Sequence, residues 1–232
     1  MGSPSGTAAD GQGGVWDHHW RGYVPTRGER WIIRRRQQLL EKAVGRVLSR
    51  RNGALTIVEA GCGAGHNSYL AAKSHRVLAL DLSGSALAQH RALYPTSSAS
   101  LVLADIRHLP LRDHSADLVF NAGVLEHFVD DEKRAILREF RRILRPDGIL
   151  FATVPGRYSL WHAWRRLSHQ LDFGHEEYFT PKSIRRIVEM GQFDVLESGG
   201  VDPLSLNTFL LRFLGIAIPL RGLPGGFGTE VF

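Results

Sequence analysis

The feature that most constrains the fold is a short β-branched run that stops at a series of glycines. Residues 55–60, Leu-Thr-Ile-Val-Glu-Ala, are typical of a buried parallel strand. Gly61, Gly63 and Gly65 follow at alternate positions, so the backbone can turn tightly there and approach a ligand closely. In an open α/β sheet, ligands bind beyond the carboxyl ends of the strands, at the place where the strand order reverses. We therefore expect a ligand site at this loop.

The same alternation of strand and helix continues along the chain. Further strands are predicted at residues 77–81, 100–105, 116–121, 149–154 and 193–197, and the segment 227–232 could add an antiparallel seventh. A helix before the fifth strand is predicted to stop at residues 145–148, and Thr180-Pro181 is predicted to open another. The pattern predicts the α/β class, a doubly wound, mostly parallel, seven-stranded Rossmann-like sheet.

Composition narrows the class of protein. The chain has 232 residues and one cysteine, which excludes an internal disulfide framework and any site built from several cysteines. The net charge of +6 is concentrated in residues 21–51, which carry nine Arg and Lys42 against two glutamates. The first residues lack the apolar stretch of a secretory signal, and residues 204–220 make a poor transmembrane span. A cytoplasmic protein is expected.

We predict the following domain organisation. Residues 1–27 would form a flexible N-terminal tail, because residues 1–14 are rich in Gly, Ser and Ala. Residues 28–232 would form a single domain that opens on a basic helix over residues 31–49. An aromatic and His-rich insertion at about 156–179 would form a lid over the substrate.

Acidic residues stand at the ends of the second and third predicted strands. Asp81 lies twenty positions after Gly61, where a carboxylate can accept hydrogen bonds from ribose hydroxyls. Asp105 is followed by the apolar Ile106, a pair suited to an adenine amino group and ring. The glycine spacing departs from the dinucleotide fingerprint, since the position of its third Gly holds His66.

These ordered pieces resemble class I S-adenosylmethionine-dependent methyltransferases, in particular the small-molecule group called methyltransferase type 11. The resemblance extends over about residues 55–154, and its remaining pieces are residues 117–119, 124–127 and 144–150. It implies that S-adenosyl-L-methionine is bound and S-adenosyl-L-homocysteine released. The implied cofactor-binding residues are Glu59, Gly61, Cys62, Gly63, Gly65, Asp81, Leu82, Asp105, Ile106 and Asn121. Simple packing remains an alternative for Cys62, as does bonding of loop amides for Glu59.

The resemblance also implies where the acceptor is methylated. His127, after the fourth strand, is the candidate general base, with His175 and Tyr178 as further candidates. A structural role for His127 stays open. Some quinone-type relatives bind a metal through Glu126, His127 and an acidic residue three positions earlier; Gly123 stands there in this chain, so no metal is predicted.

The predicted function is methyl transfer to a small apolar or aromatic acceptor, with oxygen slightly favoured as the methylated atom. Two alternatives remain: an RNA methyltransferase that uses the basic segment 21–51, and a non-catalytic nucleotide-binding module. Nucleic acid is not the expected partner, and peripheral contact with a membrane stays open. The sequence leaves the acceptor and the oligomeric state undetermined.

Overall fold

The computed structural model describes residues 8–25, 27–157, 175–201 and 230–231. Its α-helices are Ala8–Trp20 (α1), Arg27–Leu48 (α2), His66–Ala71 (α3), Gly84–Leu93 (α4), Asp130–Ile143 (α5) and Pro181–Met190 (α6), with a 3₁₀ turn at Leu125–His127. Its strands are Thr56–Ala60 (β1), Arg76–Asp81 (β2), Ser100–Leu103 (β3), Ala116–Ala122 (β4), Leu144–Pro155 (β5), Gly200–Val201 (β6) and Glu230–Val231 (β7).

The strands form a seven-stranded sheet in the order β3-β2-β1-β4-β5-β7-β6. The pairs β1–β2, β1–β4 and β2–β3 are parallel, whereas β7 runs antiparallel to β5 and β6. The order reverses between β1 and β4, which confirms the predicted doubly wound sheet. In β1, Ile57, Val58 and Ala60 are almost completely buried, as expected of a central parallel strand.

The chain divides into two compact units that interleave along the sequence. The first comprises residues 1–120 and 143–149, and the second comprises residues 121–142 and 150–232. Strands β4 and β5 each contribute residues to both units. The prediction of a single domain over residues 28–232 stays a prediction.

A buried carboxylate fixes the start of β4 within the first unit. Asp117 accepts hydrogen bonds from the guanidinium groups of Arg51 and Arg145, and from the amide of Thr56 at 2.7 Å. Its side chain is only 4% exposed. The two cations and the amide compensate for removing this charge from water.

Part of the segment predicted as a flexible tail over residues 1–27 is ordered in the structure. Residues 8–20 are helical, and α1 packs against α4. The basic helix α2 is confirmed, although it begins at Arg27, four residues earlier than predicted. Its inner side buries Leu40 and Val47, and the charged outer side is exposed at Arg34, among others.

One predicted strand boundary and one predicted strand are wrong. Strand β5 begins at Leu144 instead of Ile149. Its start is held to the chain that leads into β4, since the amide of Ser115 donates to the carbonyl of Ile143 and Nδ1 of His114 bonds to the carbonyl of Leu144. Residues 193–197 are not a strand; β6 lies at Gly200–Val201, where β7 supplies a partner. The predicted antiparallel seventh strand is confirmed as Glu230–Val231.

Residues 158–174, most of the predicted lid, lie outside the described residues. Helix α6 begins as predicted, with Thr180 as N-cap and Pro181 in the first turn. In the described part of the chain, no helix is long and apolar enough to cross a membrane.

Candidate functional site

The glycine loop after β1 has a backbone that few other residues could adopt. Gly61, Gly63 and Gly65 all lie in the left-handed region, with φ of 78°, 51° and 74°. The amides of Gly61 and Cys62 both donate to the carbonyl of Leu80, at 2.8 and 2.9 Å. The loop is therefore held against the end of β2, on which a second set of candidate residues lies.

Two of these glycines also lie too close to other residues for any side chain. A Cβ on Gly65 would come within 2.0 Å of Nδ1 of His90, and one on Gly63 within 2.5 Å of the ring of Trp20. Hence Gly65 allows the imidazole of α4 to pack behind the loop, and Gly63 allows the indole of α1 to lie against it. No sequence motif indicates that His90 or Trp20 belongs to this site.

Asp81 connects the two strand ends. Its Oδ2 accepts from the amide of Gly63 at 2.8 Å, and its Oδ1 accepts from the amide of Ser83 at 2.9 Å. Burial raises the pKa of this carboxyl, while the backbone amides act in the opposite direction. A carboxylate has about four acceptor positions, so the backbone amides leave acceptor capacity for a hydroxyl group. This fits the ribose role that the resemblance implies.

Glu59 lies beneath the loop and is buried. It accepts from Nδ2 of Asn67 at 3.2 Å and from the hydroxyl of Ser68, both on α3. Burial raises its pKa to about 7, against the effect of these hydrogen bonds. Glu59 thus fixes α3 to the end of β1. Its predicted role of shaping the loop stays a prediction.

Asp105 is bound by a neighbour that the sequence analysis did not consider. The guanidinium of Arg107 donates to both carboxylate oxygens, and Nη2 lies 2.7 Å from Oδ2. Burial opposes the charge of Asp105, but the hydrogen bonds and charge of Arg107 lower its pKa overall. The hydrogen-bond acceptor positions of Asp105 are therefore largely occupied by Arg107. Asp105 fits the predicted contact with adenine less well than Asp81 fits the predicted contact with ribose.

The remaining residues of this part of the site are apolar. Ile106 is buried and Leu82 half-buried, next to Asp105 and Asp81 respectively. The side chain of Cys62 packs against Ala79 and Leu87, and burial raises the pKa of its thiol. The packing role left open for Cys62 is what the structure shows for its side chain.

Asn121, predicted to bind the cofactor, and the residues predicted to act on the acceptor belong to the second unit. Asn121, near the end of β4, is fully buried. His127 ends the 3₁₀ turn, and its Nδ1 lies 3.1 Å from the carbonyl oxygen of His175. Because a carbonyl can only accept, Nδ1 must carry the proton, and a neutral His127 then keeps a lone pair on Nε2. Nε2 lies 3.9 Å from Oε1 of the buried Glu126.

The other two catalytic candidates have different surroundings. The side chain of His175 is exposed, and its contact with His127 is made by the backbone. The hydroxyl of Tyr178 donates to Glu176 at 2.9 Å. Of the three candidates, the structure brings together His127 and His175.

A buried lysine holds the 175–180 segment within the second unit. Lys133 forms an ion pair with Glu177, and its ammonium lies 5.2 Å from the ring centre of Phe179. The amide of Glu177 also donates to the carbonyl of Glu126 at 2.9 Å. The position of the carbonyl that orients His127 therefore depends on Lys133, which no sequence motif indicated.

The first unit meets the needs of the implied cofactor. S-adenosylmethionine offers ribose hydroxyls as donors and requires close backbone approach, and Asp81 with the left-handed loop supplies acceptors and space. These residues would hold the group, whereas Arg107 competes for Asp105.

Comparison with known proteins gives the same family. A model described as a methyltransferase domain matches residues 58–152. Over 132 residues the chain is 34% identical to a probable S-adenosylmethionine-dependent methyltransferase of Mycobacterium tuberculosis (strain CDC 1551 / Oshkosh), covering 56% of this chain and 45% of the relative. Over 138 residues it is 34% identical to a malonyl-(acyl-carrier protein) O-methyltransferase of Hamiltonella defensa, covering 56% and 52%.

The fold has solved counterparts. The magnesium protoporphyrin IX methyltransferase of Synechocystis PCC 6803 superimposes with a TM-score of 0.58 at 18% identity, covering 82% of this chain and 87% of the other. The chain spans about half the length of the two curated relatives above. Residues 58–152 thus match the methyltransferase domain family, and the relatives that the chain resembles include S-adenosylmethionine-dependent methyltransferases.

Proposed function

We propose that the protein transfers a methyl group from S-adenosylmethionine to a small organic acceptor, with oxygen favoured as the methylated atom. The observation that carries the proposal is the left-handed glycine loop whose Gly63 amide bonds to Asp81. A loop of this kind, followed by a strand-end carboxylate, suits a ligand with ribose hydroxyls. The matched methyltransferase model includes both the loop and Asp81.

The protein contributes to this reaction mainly by binding and orienting the cofactor and the acceptor. The cofactor supplies an activated methyl on a sulfonium, so positioning accounts for much of the acceleration. Asp81 would accept from the ribose hydroxyls, and the glycine loop would hold the methionine portion. Asn121 is proposed to bind the methionine end.

An alcohol or phenol acceptor must also lose a proton. We assign this step to Nε2 of His127, since the carbonyl of His175 fixes the proton of the neutral ring on Nδ1. The O–H proton of the acceptor passes to Nε2 as the oxygen takes the methyl. Glu126, 3.9 Å from Nε2, would stabilise the imidazolium that results.

The test is a screen of acceptors with labelled methyl donor, preceded by calorimetric titration. We expect micromolar binding of S-adenosylmethionine and S-adenosylhomocysteine, and much weaker binding of NAD. Tight binding of NAD without binding of S-adenosylmethionine would reject the assignment. Cofactor binding without turnover on any acceptor class would favour a non-catalytic module, and salt-sensitive turnover on RNA would favour the nucleic-acid alternative.

A carboxylic acid is a second candidate acceptor. It is favoured by the similarity to the malonyl-(acyl-carrier protein) O-methyltransferase of Hamiltonella defensa. A carboxylate is already ionised at neutral pH and needs no base. Turnover on a carboxylic acid that is unaffected by the loss of His127 would select this candidate.

The cytoplasmic location remains a prediction. No binding partner is proposed for the basic face of α2.

A further inference from the structure

Helix α1 is a helix that its own sequence does not favour. It contains Gly11, Gly13 and Gly14 within thirteen residues, and each glycine costs about 1 kcal/mol relative to alanine in a helix interior. A Cβ on Gly13 or Gly14 would meet nothing within 4 Å, so no close packing requires these glycines. The helix therefore depends on contacts with the rest of the first unit.

Those contacts are made by the C-terminal end of α1 and the residues that follow it. Oδ1 of Asp17 accepts from the hydroxyl of Ser83 at 2.6 Å and from the amide of Ser85 at 3.0 Å. The carbonyl of Tyr23 accepts from Nε2 of Gln89 at 2.6 Å. These partners lie at the start and in the middle of α4. The hydrogen bonds from Ser83 and Ser85 lower the pKa of Asp17, so it is ionised at neutral pH.

Trp20 lies one helical turn after Asp17, and its ring covers Gly63 of the glycine loop. His19 and Tyr23 pack edge-on against this indole, with ring centres 4.7 and 4.8 Å away. The contacts close a circuit: Asp17 bonds to Ser83, Ser83 to Asp81, Asp81 to Gly63, and Gly63 packs against Trp20. Two of its members, Asp81 and Gly63, are the residues proposed to hold the cofactor.

We infer that α1 is a movable cover of the cofactor site, latched by Asp17 and lined by Trp20. The inference rests on the proposed function, because it takes the glycine loop and Asp81 to be the place where S-adenosylmethionine binds. A ligand held by Gly63 and Asp81 must lie next to the indole, and it enters or leaves when α1 moves away. The three glycines lower the free energy needed to move α1 away, whereas the hydrogen bonds of Asp17 keep the cover closed between one ligand exchange and the next.

The test measures the exchange of S-adenosylhomocysteine on the full-length protein by surface plasmon resonance. For Asp17→Ala, we expect both the association and the dissociation rate constants to rise, by about tenfold or more, since a charge-assisted latch is lost. Trp20→Phe should raise the dissociation rate by a smaller factor. The control is Trp16→Ala, which removes an indole from the same helix at a residue whose ring contacts His19; its rates should match the wild type.

Three results would overturn the cover. A faster dissociation with unchanged or slower association in Asp17→Ala would make α1 a fixed wall. Unchanged rates in both Asp17→Ala and Trp20→Phe would remove α1 from the exchange path, and rates in Trp16→Ala that change as much would make the effect non-specific. If the wild type fails to bind S-adenosylhomocysteine at all, the proposed function fails instead.

Hydrogen–deuterium exchange gives an independent readout that needs no turnover. The amides of residues 13–20 should exchange more slowly when S-adenosylhomocysteine is bound, and faster in Asp17→Ala than in the wild type without ligand. The amides of β1 should change little between the two proteins. Exchange in residues 13–20 that is unaffected by both ligand and mutation would contradict a moving cover.

Discussion

The carboxylate of Asp81 accepts a hydrogen bond from the backbone amide of Gly63, with 2.8 Å between Oδ2 and the nitrogen. One side chain thus fixes the conformation of the glycine loop and keeps acceptor positions for ribose. We predict that Asp81→Ala weakens S-adenosylhomocysteine binding ten- to a hundredfold, about 1.5–3 kcal/mol. Calorimetric titration measures the change. Asp131→Ala, at a carboxylate that is 90% exposed, is the control and should bind as the wild type does.

The second prediction concerns the space around Gly65. In Gly65→Ala the new methyl would lie 2.0 Å from His90, at a φ of 74°. The matched control is Gly53→Ala, where φ is 92° and nothing lies within 4 Å. We expect the control to lose about 1–2 kcal/mol of unfolding free energy from backbone strain alone, and Gly65→Ala to lose clearly more.

Denaturant titration gives both values, and a double mutant separates the causes. Adding His90→Ala to Gly65→Ala should recover part of the loss, because the clash disappears while the strain remains. Equal losses in Gly65→Ala and Gly53→Ala would show that the imidazole of His90 moves aside freely.

The third prediction follows from the pKa of Glu59, which burial raises to about 7 from 4.5. The folded protein keeps this proton to a higher pH than the unfolded chain does. The stability that Glu59 contributes is therefore fully present below pH 4.5 and is lost as the pH rises to about 7. Glu59→Gln cannot ionise, so its unfolding free energy relative to wild type should rise by roughly 3 kcal/mol over this range.

Unfolding free energies of the two proteins at pH 4.5, 6 and 8 check this. Taking the difference between them cancels the contribution of the half-buried His66 and the buried His90, whose pKa values burial lowers. Glu41→Gln, an exposed glutamate on α2, serves as control. A difference between Glu59→Gln and wild type that does not vary with pH would mean that Glu59 stays ionised when folded.

The fourth prediction tests whether His127 is a general base or has only a structural role. With an acceptor that must lose a proton, His127→Ala should lower turnover by about 10²–10⁴ and leave cofactor affinity unchanged. The wild-type rate should rise with pH as the imidazole of His127 loses its proton and becomes able to accept one. The control is His114→Ala, since Nδ1 of His114 also bonds to a backbone carbonyl, that of Leu144 at 2.9 Å. A His127→Ala protein that keeps the wild-type rate and pH profile would make His127 structural.

The parts of the fold that the sequence predicts are those where a local pattern and the tertiary structure agree. The β-branched run of β1, the glycine loop and the Thr180-Pro181 helix start each have a cause within a few residues. Residues 193–197 have the right side-chain pattern but do not form a strand, because a ladder needs a partner that local sequence does not reveal.

The candidate site was predicted less completely than the fold. Carboxylates at strand ends are recognisable, but the Arg107 side chain that occupies Asp105 depends on rotamers. Helix α1 was missed because glycines lower helix propensity, whereas its stability comes from Asp17 and Trp20 contacts distant in sequence. The signal available was the density of aromatic and histidine residues at positions 16–20, unusual for a solvated tail.

The cluster around Asp117 has a consequence for synthesis of the chain. Arg51 and Thr56 precede Asp117, but Arg145 follows it by 28 residues. A nascent chain that has left the ribosome only as far as β4 can pair this carboxylate with Arg51 but not with Arg145. Residues 143–149, which belong to the first unit, have not yet emerged. The helix α5 must emerge before they do. The first unit therefore completes its folding after the start of the second has been translated, and a pause before residue 145 would prolong the exposure of an incomplete sheet edge to aggregation.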